Sequence, residues 1–456
     1  MFFHKIGEIL EKYFFGGIVP LFLAFCGIFF IIYLRFPFSV LCERRDTRKN
    51  NCQTITKNKK RAGISGFSAL TVALAGTLGV GNITGVASAL ILGGAGSIFW
   101  MWVSALLAMV LKYAEIVLAH GHARVCGTEK HGGAMYYLRD GFRGEKGRGL
   151  ALVFSFFCLM NSLAMGCMLQ SEAVTGAFRG VSRPVAVLVG AMLALLVALV
   201  VFGGDGDGGG NIPTLTTVII PVMSALYVVM SLCVIIKNVG SLPHVLREIF
   251  RSAFNFHSAV GGTLGFGASR AIRYGFMRGL LSNEAGCGTA PTAHASSSVV
   301  SPRDQGLLGV LEVFVDTILL CSATAFSILL TVGTDAEILS SFAAGGEMRL
   351  VLASYSSFFG KNALPLMATA VFFFAYATIV CQIFYGVETL RFLTHKKRVR
   401  TFYKLFCLVF VFLGAAKINA GGISFFLSDL ALGSMTVINL AALLKMRKEI
   451  KKAGKS

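Results

Sequence analysis

The sequence predicts an all-α polytopic membrane protein of about 11 transmembrane helices. Hydrophobic residues make up 55% of the 456 positions, charged residues make up only 14%, and the mean hydropathy is +0.73. This composition is far from that of a soluble domain. Apolar stretches of about 20 residues, the length that crosses a bilayer, recur along the chain. The net charge of +20 does not indicate nucleic-acid binding, because the Lys and Arg residues cluster beside these stretches, where they orient a membrane protein.

Basic segments predict the orientation of the spans. Residues 1–65 are expected to form an N-terminal helix, at 16–36, and a cytoplasmic loop that carries eight Lys and Arg residues. Because basic loops stay in the cytoplasm, the N-terminus is expected outside. The basic tail, 446–456, is expected in the cytoplasm. The protein is therefore predicted to be a multi-pass protein of the cell (inner) membrane.

The remaining spans fall into two blocks of five, at 66–236 and 257–445, joined by an amphipathic segment at 237–256 that is expected on the outer surface. A block with an odd number of spans reverses its orientation when it is repeated. Each block opens with an apolar stretch that glycines interrupt, the second at 257–277. Inverted repeats of this kind are typical of secondary transporters, which bind their substrate between the interrupted helices. The prediction is a 5+5 inverted repeat with one extra N-terminal helix.

The first interruption is the stretch from Gly76 to Gly85, in which four glycines accompany Thr77, Asn82 and Thr84. Glycine costs about 1 kcal/mol per helical position relative to alanine. Since unpaired backbone is also costly in hydrocarbon, a break here is expected to line a polar cavity. Opposed half-helix ends would offer N–H groups to a carboxylate and carbonyl groups to a cation. The alternative is a close helix crossing, which does not explain the asparagine and the two threonines.

Two long segments resemble the signatures of one family. GVGNITGVASALILGGAGSIFWMW resembles the first signature of the alanine or glycine:cation symporters (amino acid carrier proteins), and RGLLSNEAGCGTAPTAHA, at 278–295, resembles the second. EVFVDTILLCSATA and FAYATIVCQIFYGVE add to a resemblance that runs from about residue 15 to residue 445. It implies a leucine-transporter-like fold and sodium-coupled symport, by alternating access, of small neutral amino acids: alanine, glycine and, as a further candidate, D-alanine.

The resemblance and the residue chemistry together name a candidate site. Substrate binding is assigned to Gly79, Gly81, Asn82 and Gln170, together with Thr263, Gly265, Phe266 and Gly267 at the second interruption. Sodium binding is assigned to Asn82, Thr77, Ala375 and Thr378, because a hard cation prefers carbonyl, amide and hydroxyl oxygens. Three alternatives stay open: Asn82 could cap the second half-helix, Thr77 and Thr84 could bond their own i−4 carbonyl groups, and Phe266 could be a packing residue. The chain departs from the family at Cys167, Glu172, Ala377 and Gln382, which leaves the ion stoichiometry open.

Acidic residues inside spans are costly unless they have a partner or face water. The candidates for gating or ion coupling are Glu172, Glu284 and Asp316. Glu172 has three interpretations: a counter-charge for the substrate ammonium, a proton-coupling group, or a residue near the outer membrane surface. Glu284, with Arg278, is expected in an inner gate or hinge. Glu115 and Lys112 could equally form an interfacial ion pair.

Other classes of function find little support in the sequence. An enzyme is disfavoured because HGHAR lacks the HExxH spacing and GVGNITG is not a GxGxxG motif. A channel is disfavoured by the inverted five-span pattern. The remaining alternative is a proton-coupled or uncoupled amino acid permease of the same fold, which Glu172 and the lost serine at Ala377 suggest. The expected ligands are a small amino acid and sodium ions, with the lipid bilayer around the protein, no organic cofactor and no nucleic acid.

Overall fold

The computed structural model describes residues 17–36, 62–127, 129–142, 144–178, 182–203, 211–254, 264–343, 346–417 and 423–454. The helices of the first part are α1 (Val19–Leu34), α2 (Gly66–Thr77), α3 (Val86–Gly93), α4 (Gly96–Gly121), α5 (Ala134–Gly141), α6 (Glu145–Asn161), α7 (Gln170–Gly176), α8 (Arg183–Phe202), α9 (Ile212–Lys237) and α10 (Leu242–Ala253). The helices of the second part are α11 (Leu264–Asn283), α12 (Pro291–Ala295), α13 (Pro302–Val313), α14 (Ser322–Thr331), α15 (Ala336–Ser341), α16 (Glu347–Phe359), α17 (Ala363–Leu393), α18 (Lys397–Ala415), α19 (Ile423–Lys445) and α20 (Arg447–Ala453).

Three π-helical segments interrupt this pattern, at Gly81–Gly85 before α3, Ser162–Leu169 between α6 and α7, and Phe314–Cys321 between α13 and α14. Short 3₁₀ turns, Val239–Ser241 and Gly360–Asn362, precede α10 and α17. Each π-helical segment carries or adjoins a candidate site residue, as is frequent at functional sites.

The fold is mostly helical, as predicted. The described residues also contain one antiparallel hairpin of β1 (Arg124–Cys126) and β2 (Glu129–His131), which the sequence analysis did not predict. Seven helical stretches of the described residues, or eight if the bent pair of α2 and α3 counts as one span, are long and apolar enough to cross a membrane. Three of them join two helices: α6 with α7, α13 with α14, and α16 with α17. The total of 11 spans stays a prediction.

The helices form an inner and an outer layer. The most apolar part of α4 is 83% buried, whereas that of α8 is 28% buried and that of α9 is 33% buried. Since a bilayer solvates apolar side chains, α8 and α9 belong to the lipid-facing layer and α4 to the interior. The interior helix packs against α11 and α13, which brings the first helix of the second predicted block close to it.

The predicted first interruption is confirmed. Helix α2 starts at the cap residue Ser65, whose side chain accepts a hydrogen bond from the Ser68 N–H, and ends at Thr77. The next residue, Leu78, has a non-helical ψ of 66°, and the helix axis bends by 56° before α3. An uninterrupted helix crossing, the alternative for these glycines, is therefore wrong.

The second interruption, predicted at 257–277, is not found in the described part of that stretch, 264–277. Helix α11 runs without a break through Gly265, Phe266 and Gly267 to Asn283, and the chain leaves the helix at 284–290 instead. Thr263 lies outside the described residues. The break falls where three backbones adopt positive φ angles, at Glu284 (48°), Gly286 (84°) and Gly288 (79°), a conformation that ends a right-handed helix.

Helix packing explains why glycine alone does not break α11. A Cβ atom on Gly275 would lie 2.7 Å from the Trp100 Cβ atom, and one on Gly279 would lie 3.2 Å from the Met101 Cγ atom. These glycines let α11 approach α4 closely, so that packing offsets the cost of about 1 kcal/mol per glycine.

Candidate functional site

Two predicted site residues contact the break between α2 and α3. The Val80 N–H donates to Gln170 Oε1 at 3.2 Å, and the Thr378 hydroxyl donates to the Leu78 carbonyl at 3.3 Å. A Cβ atom on Gly79 would lie 3.0 Å from Gln170 Oε1, so glycine allows this close approach. Residues of α7 and α17 therefore meet at the break that follows α2.

Open space reaches the break at Gly81. This residue is exposed, although its neighbours Val80 and Asn82 are 4% and 0% exposed. No atom lies within 4 Å of a Cβ atom added to Gly81 or to Gly85. The hollow lies at the N-terminal end of the second half-helix, and because this end of a helix carries partial positive charge, it suits a carboxylate.

Asn82 turns its side chain away from the helix end. Its amide Nδ2 donates to Asp316 Oδ1 at 2.7 Å and to the Asp316 carbonyl at 3.2 Å, so the capping role that the sequence left open is not realised. The Thr324 hydroxyl donates to the Asn82 carbonyl at 3.0 Å. The Asn82 Oδ1 atom is buried and has no hydrogen-bond partner among the described residues. A buried acceptor of this kind can bind a cation or a donor from a ligand.

Asp316 is fully buried in the π-helical segment between α13 and α14. Besides Asn82, its carboxylate accepts hydrogen bonds from the Ser282 hydroxyl at 2.8 Å and the Thr317 hydroxyl at 2.7 Å. All three donors are neutral. Within the part of the chain that the structure describes, no Lys, Arg or His nitrogen lies within 4.0 Å of this carboxylate. Since burial of an unpaired charge is costly, the site is suited to a monovalent cation held by oxygen atoms.

The other predicted sodium ligands have mixed outcomes. Thr77 and Thr84 both bond their own i−4 carbonyl groups, at 3.3 and 3.1 Å, which is the local alternative that the sequence left open. Ala375 is fully buried one helical turn before Thr378. The role of Ala375 as an ion ligand stays a prediction.

A buried ion pair lies beside the site. Lys112 Nζ is 3.2 Å from Glu312 Oε1 and donates to the Asn283 carbonyl at 2.7 Å. His294 Nε2 lies 3.0 Å from the other Glu312 oxygen. The open alternative of an interfacial pair between Lys112 and Glu115 is not found, because both side chains are fully buried and Glu115 accepts a hydrogen bond from Asn439.

Glu312 was not among the residues predicted from the sequence. The signal that could have found it is its spacing of four residues from Asp316, which places both carboxylates on one face of a helix inside an apolar span. The Thr77 hydroxyl also contacts Glu312, at 3.5 Å. The carboxylate thus links the end of α2 to the buried ion pair.

Glu284 is the first residue of the second interruption. Its carboxylate accepts hydrogen bonds from Gln382 Nε2 at 3.2 Å and from the Thr289 hydroxyl at 2.5 Å, whereas Arg278 lines a separate crevice. Its role as a gate or hinge stays a prediction. Glu172 is half-buried two residues after Gln170, a spacing that sends the two side chains to different faces of α7.

A cavity of about 530 Å³ lies at the other end of α2, and Ser65, Lys130, His131 and Arg391 are among its lining residues. Helix α2 has 12 residues, so this cavity is roughly 18 Å from the break. It is a candidate vestibule and is separate from the hollow at Gly81.

Comparison with known proteins identifies the family. The family described as "Sodium:alanine symporter family" matches residues 1–456. The sodium/alanine symporter AgcS of Methanococcus maripaludis is 34% identical over 84% of this chain and 81% of that protein. The probable sodium/glutamine symporter GlnT of Bacillus subtilis is 32% identical over 96% of this chain and 89% of that protein.

A solved structure of a Na⁺-coupled sialic acid symporter, in a substrate-bound outward-open state, matches with a TM-score of 0.58 over 94% of this chain and 87% of that chain. At 12% identity, this likeness concerns the fold. Together with the apolar helices, these matches define a multi-pass membrane transporter rather than an enzyme. The chain belongs to the sodium:alanine symporter family.

Proposed function

We propose that this protein carries small neutral amino acids, alanine and glycine first and D-alanine as a further candidate, into the cell by symport with sodium. The observation that carries the proposal is the hollow at Gly81 beside the buried acceptors of Asn82 and Asp316. One end of this arrangement suits a carboxylate and the other suits a cation. A zwitterion and a metal ion can therefore bind side by side.

The proposed substrate site starts at the first N–H groups of the second half-helix. The substrate carboxylate would lie at Gly79 and Gly81, where no side chain fills the space, with the Gln170 amide beside it. Helix α11 packs against α3 and the turn before it, which supports its residues Gly265, Phe266 and Gly267 as candidates for the opposite wall. The role of Thr263 stays a prediction.

Two sodium sites are proposed. In the first, Asn82 Oδ1 and the Asp316 carboxylate hold the ion. In the second, the Thr378 hydroxyl and the Ala375 carbonyl hold an ion against the end of α2. Because Asn82 adjoins both the substrate hollow and the first ion, binding of either ligand is expected to favour the other.

The proposed mechanism is alternating access in two inverted blocks of five helices, 66–236 and 257–445, which rock around this site. In this proposal, the N-terminus lies outside and the C-terminus in the cytoplasm, as the basic segments predict. Glu284 and the second interruption would act as the hinge, and the cavity of about 530 Å³ at Lys130 and His131 would be the cytoplasmic exit.

A proton-coupled permease is the second candidate, because a proton could neutralise the buried Asp316 carboxylate in place of sodium. Uptake of labelled alanine into proteoliposomes separates the two, first with sodium replaced by choline at fixed pH and then with pH varied at fixed sodium. If the protein is a sodium symporter, alanine uptake stops when choline replaces sodium. Uptake that does not depend on sodium and follows the proton gradient would instead establish the proton-coupled permease.

Competition tests the proposed substrate size. Unlabelled L-alanine, D-alanine and glycine are expected to inhibit the uptake of labelled glycine, because the hollow opens at glycine positions. Glutamine is the comparison, since one relative is named for it. Inhibition by glutamine that matches inhibition by alanine would contradict a site restricted to small side chains.

A further inference from the structure

A second ligand site lies between the extra N-terminal helix and the core. A crevice of about 290 Å³ separates α1 from α11 and α19. Its walls are mostly apolar, with Leu23 on α1, Met277 and Leu280 on α11, and Leu432 on α19. The candidate transport residues Gly81, Asn82 and Asp316 do not line it.

The crevice starts at the ends of two apolar helices and follows one of them inward. Val19 lies in the first turn of α1 and Phe425 in the first turn of α19, whereas Thr436 marks the far end. Thr436 follows Phe425 by 11 positions, which corresponds to roughly 16 Å along the helix. This shape suits one extended acyl chain.

The mouth of the crevice opens on an apolar surface. Phe425 is 58% exposed, and on α1 the side chains of Leu21 and Phe25 are 72% and 58% exposed. In a polytopic membrane protein, such a surface faces lipid. The molecules that can enter the crevice are therefore lipids.

Arg278 gives the crevice a charged group. Its guanidinium Nε atom is buried without a hydrogen-bond partner, and no carboxylate of the described residues pairs with it. An arginine inside a bilayer is costly unless it has a partner. The planar guanidinium matches the two oxygen atoms of a phosphate. The Asp429 carboxylate also lines the crevice and takes part in another interaction.

We propose that this crevice binds one membrane phospholipid, with its phosphate on Arg278 and an acyl chain along α19. The lipid would also contact Ala285 and Cys287, which line the crevice and belong to the second interruption. A lipid at this position would brace the segment that carries Glu284. The inference does not depend on which amino acid or ion is transported.

Native mass spectrometry of the full-length protein, purified in detergent, tests the proposal by counting retained lipids. The wild type is expected to keep one phospholipid per chain. Arg278→Gln is expected to lower this occupancy at least about tenfold, since a charge-assisted phosphate contact contributes about 1.5–3 kcal/mol. The control is Arg270→Gln, an exposed arginine on the same helix outside the crevice, which should keep the lipid.

A second variant tests the crevice without a change of charge. Val19→Trp fills the mouth and should also release the lipid, which keeps the proposal testable if Arg278→Gln fails to fold. Retention of phospholipid by either folded variant would overturn the proposal, as would retention of a non-phosphate lipid by the wild type. Because lipid occupancy is measured without transport, a failure of sodium symport leaves this result unaffected.

Discussion

Replacement of Asp316 by asparagine distinguishes two roles of its carboxylate, as a sodium ligand or as a structural hydrogen-bond acceptor. Asn has nearly the same shape as Asp but no charge. In the absence of sodium, the wild type carries a buried carboxylate that has only neutral donors around it. Removal of that charge should leave the free energy of unfolding in choline unchanged or raised, because the desolvation cost of the charge disappears.

In the presence of sodium, Asp316→Asn should bind the ion more weakly than the wild type and gain less stability from it. A contact with a charged group contributes about 1.5–3 kcal/mol, which corresponds to a roughly 10- to 150-fold loss of sodium affinity. For an ion present at about 100 times its Kd, ligand binding stabilises the wild type by about 2.7 kcal/mol, and a hundredfold weaker Kd leaves only about 0.4 kcal/mol. The sodium-dependent stabilisation should nearly vanish.

The assay is thermal unfolding of the purified protein in sodium and in choline. The matched control is Asp304→Asn, an exposed acid in the first turn of α13, which should keep the full sodium response. A lower Tm of Asp316→Asn in both salts, with an unchanged sodium response, would refute the assignment and leave Asp316 as a structural hydrogen-bond acceptor.

Three further predictions concern the hollow, the buried ion pair and the hairpin. Gly81→Leu should lower alanine uptake about tenfold or more, because the leucine side chain enters open space at the proposed substrate site. Gly121→Ala, a change at another glycine in open space, should leave uptake unchanged. Normal uptake by Gly81→Leu would contradict a substrate site at Gly81. Lys112→Met should destabilise the protein by about 3–5 kcal/mol, since it leaves the buried Glu312 carboxylate without its cation, and added Glu312→Gln should recover much of that loss in denaturant unfolding. Burial lowers the pKa of Lys130 in the hairpin from its usual 10.5 to about 8. The folded state therefore loses this proton at a lower pH than the unfolded state does, and the free energy of unfolding should rise between about pH 8 and 10.5. Thermal unfolding should show that rise in the wild type relative to Lys130→Met, and equal pH profiles of the two proteins would contradict it.

The first interruption could be predicted because two local signals coincide there. Glycines dense enough to weaken a helix stand beside Asn82 inside an apolar stretch, and only a break with a polar lining accommodates both. The second interruption could not be found by glycine density. Gly275 and Gly279 serve close packing, and the helix ends just before Glu284, a residue whose positive φ no propensity scale indicates.

The contacts of the site were less predictable than its position. The Asn82 and Asp316 side chains are 234 residues apart in sequence, and hydrophobic periodicity carries no information about such a pairing. Thr378 was named as a sodium ligand with the help of the family resemblance, and its contact with the end of α2 joins positions 300 residues apart. The hairpin of β1 and β2 has strands of three residues, too short for an alternating pattern to stand out.

The central claim is that one site couples an amino acid to sodium, and equilibrium binding tests it most directly. The affinity of the detergent-solubilised protein for labelled alanine can be measured over a range of sodium concentrations, and its affinity for sodium with and without alanine. The account predicts that each ligand raises the affinity for the other by the same factor. An alanine affinity that does not change with sodium, and follows pH instead, would contradict it.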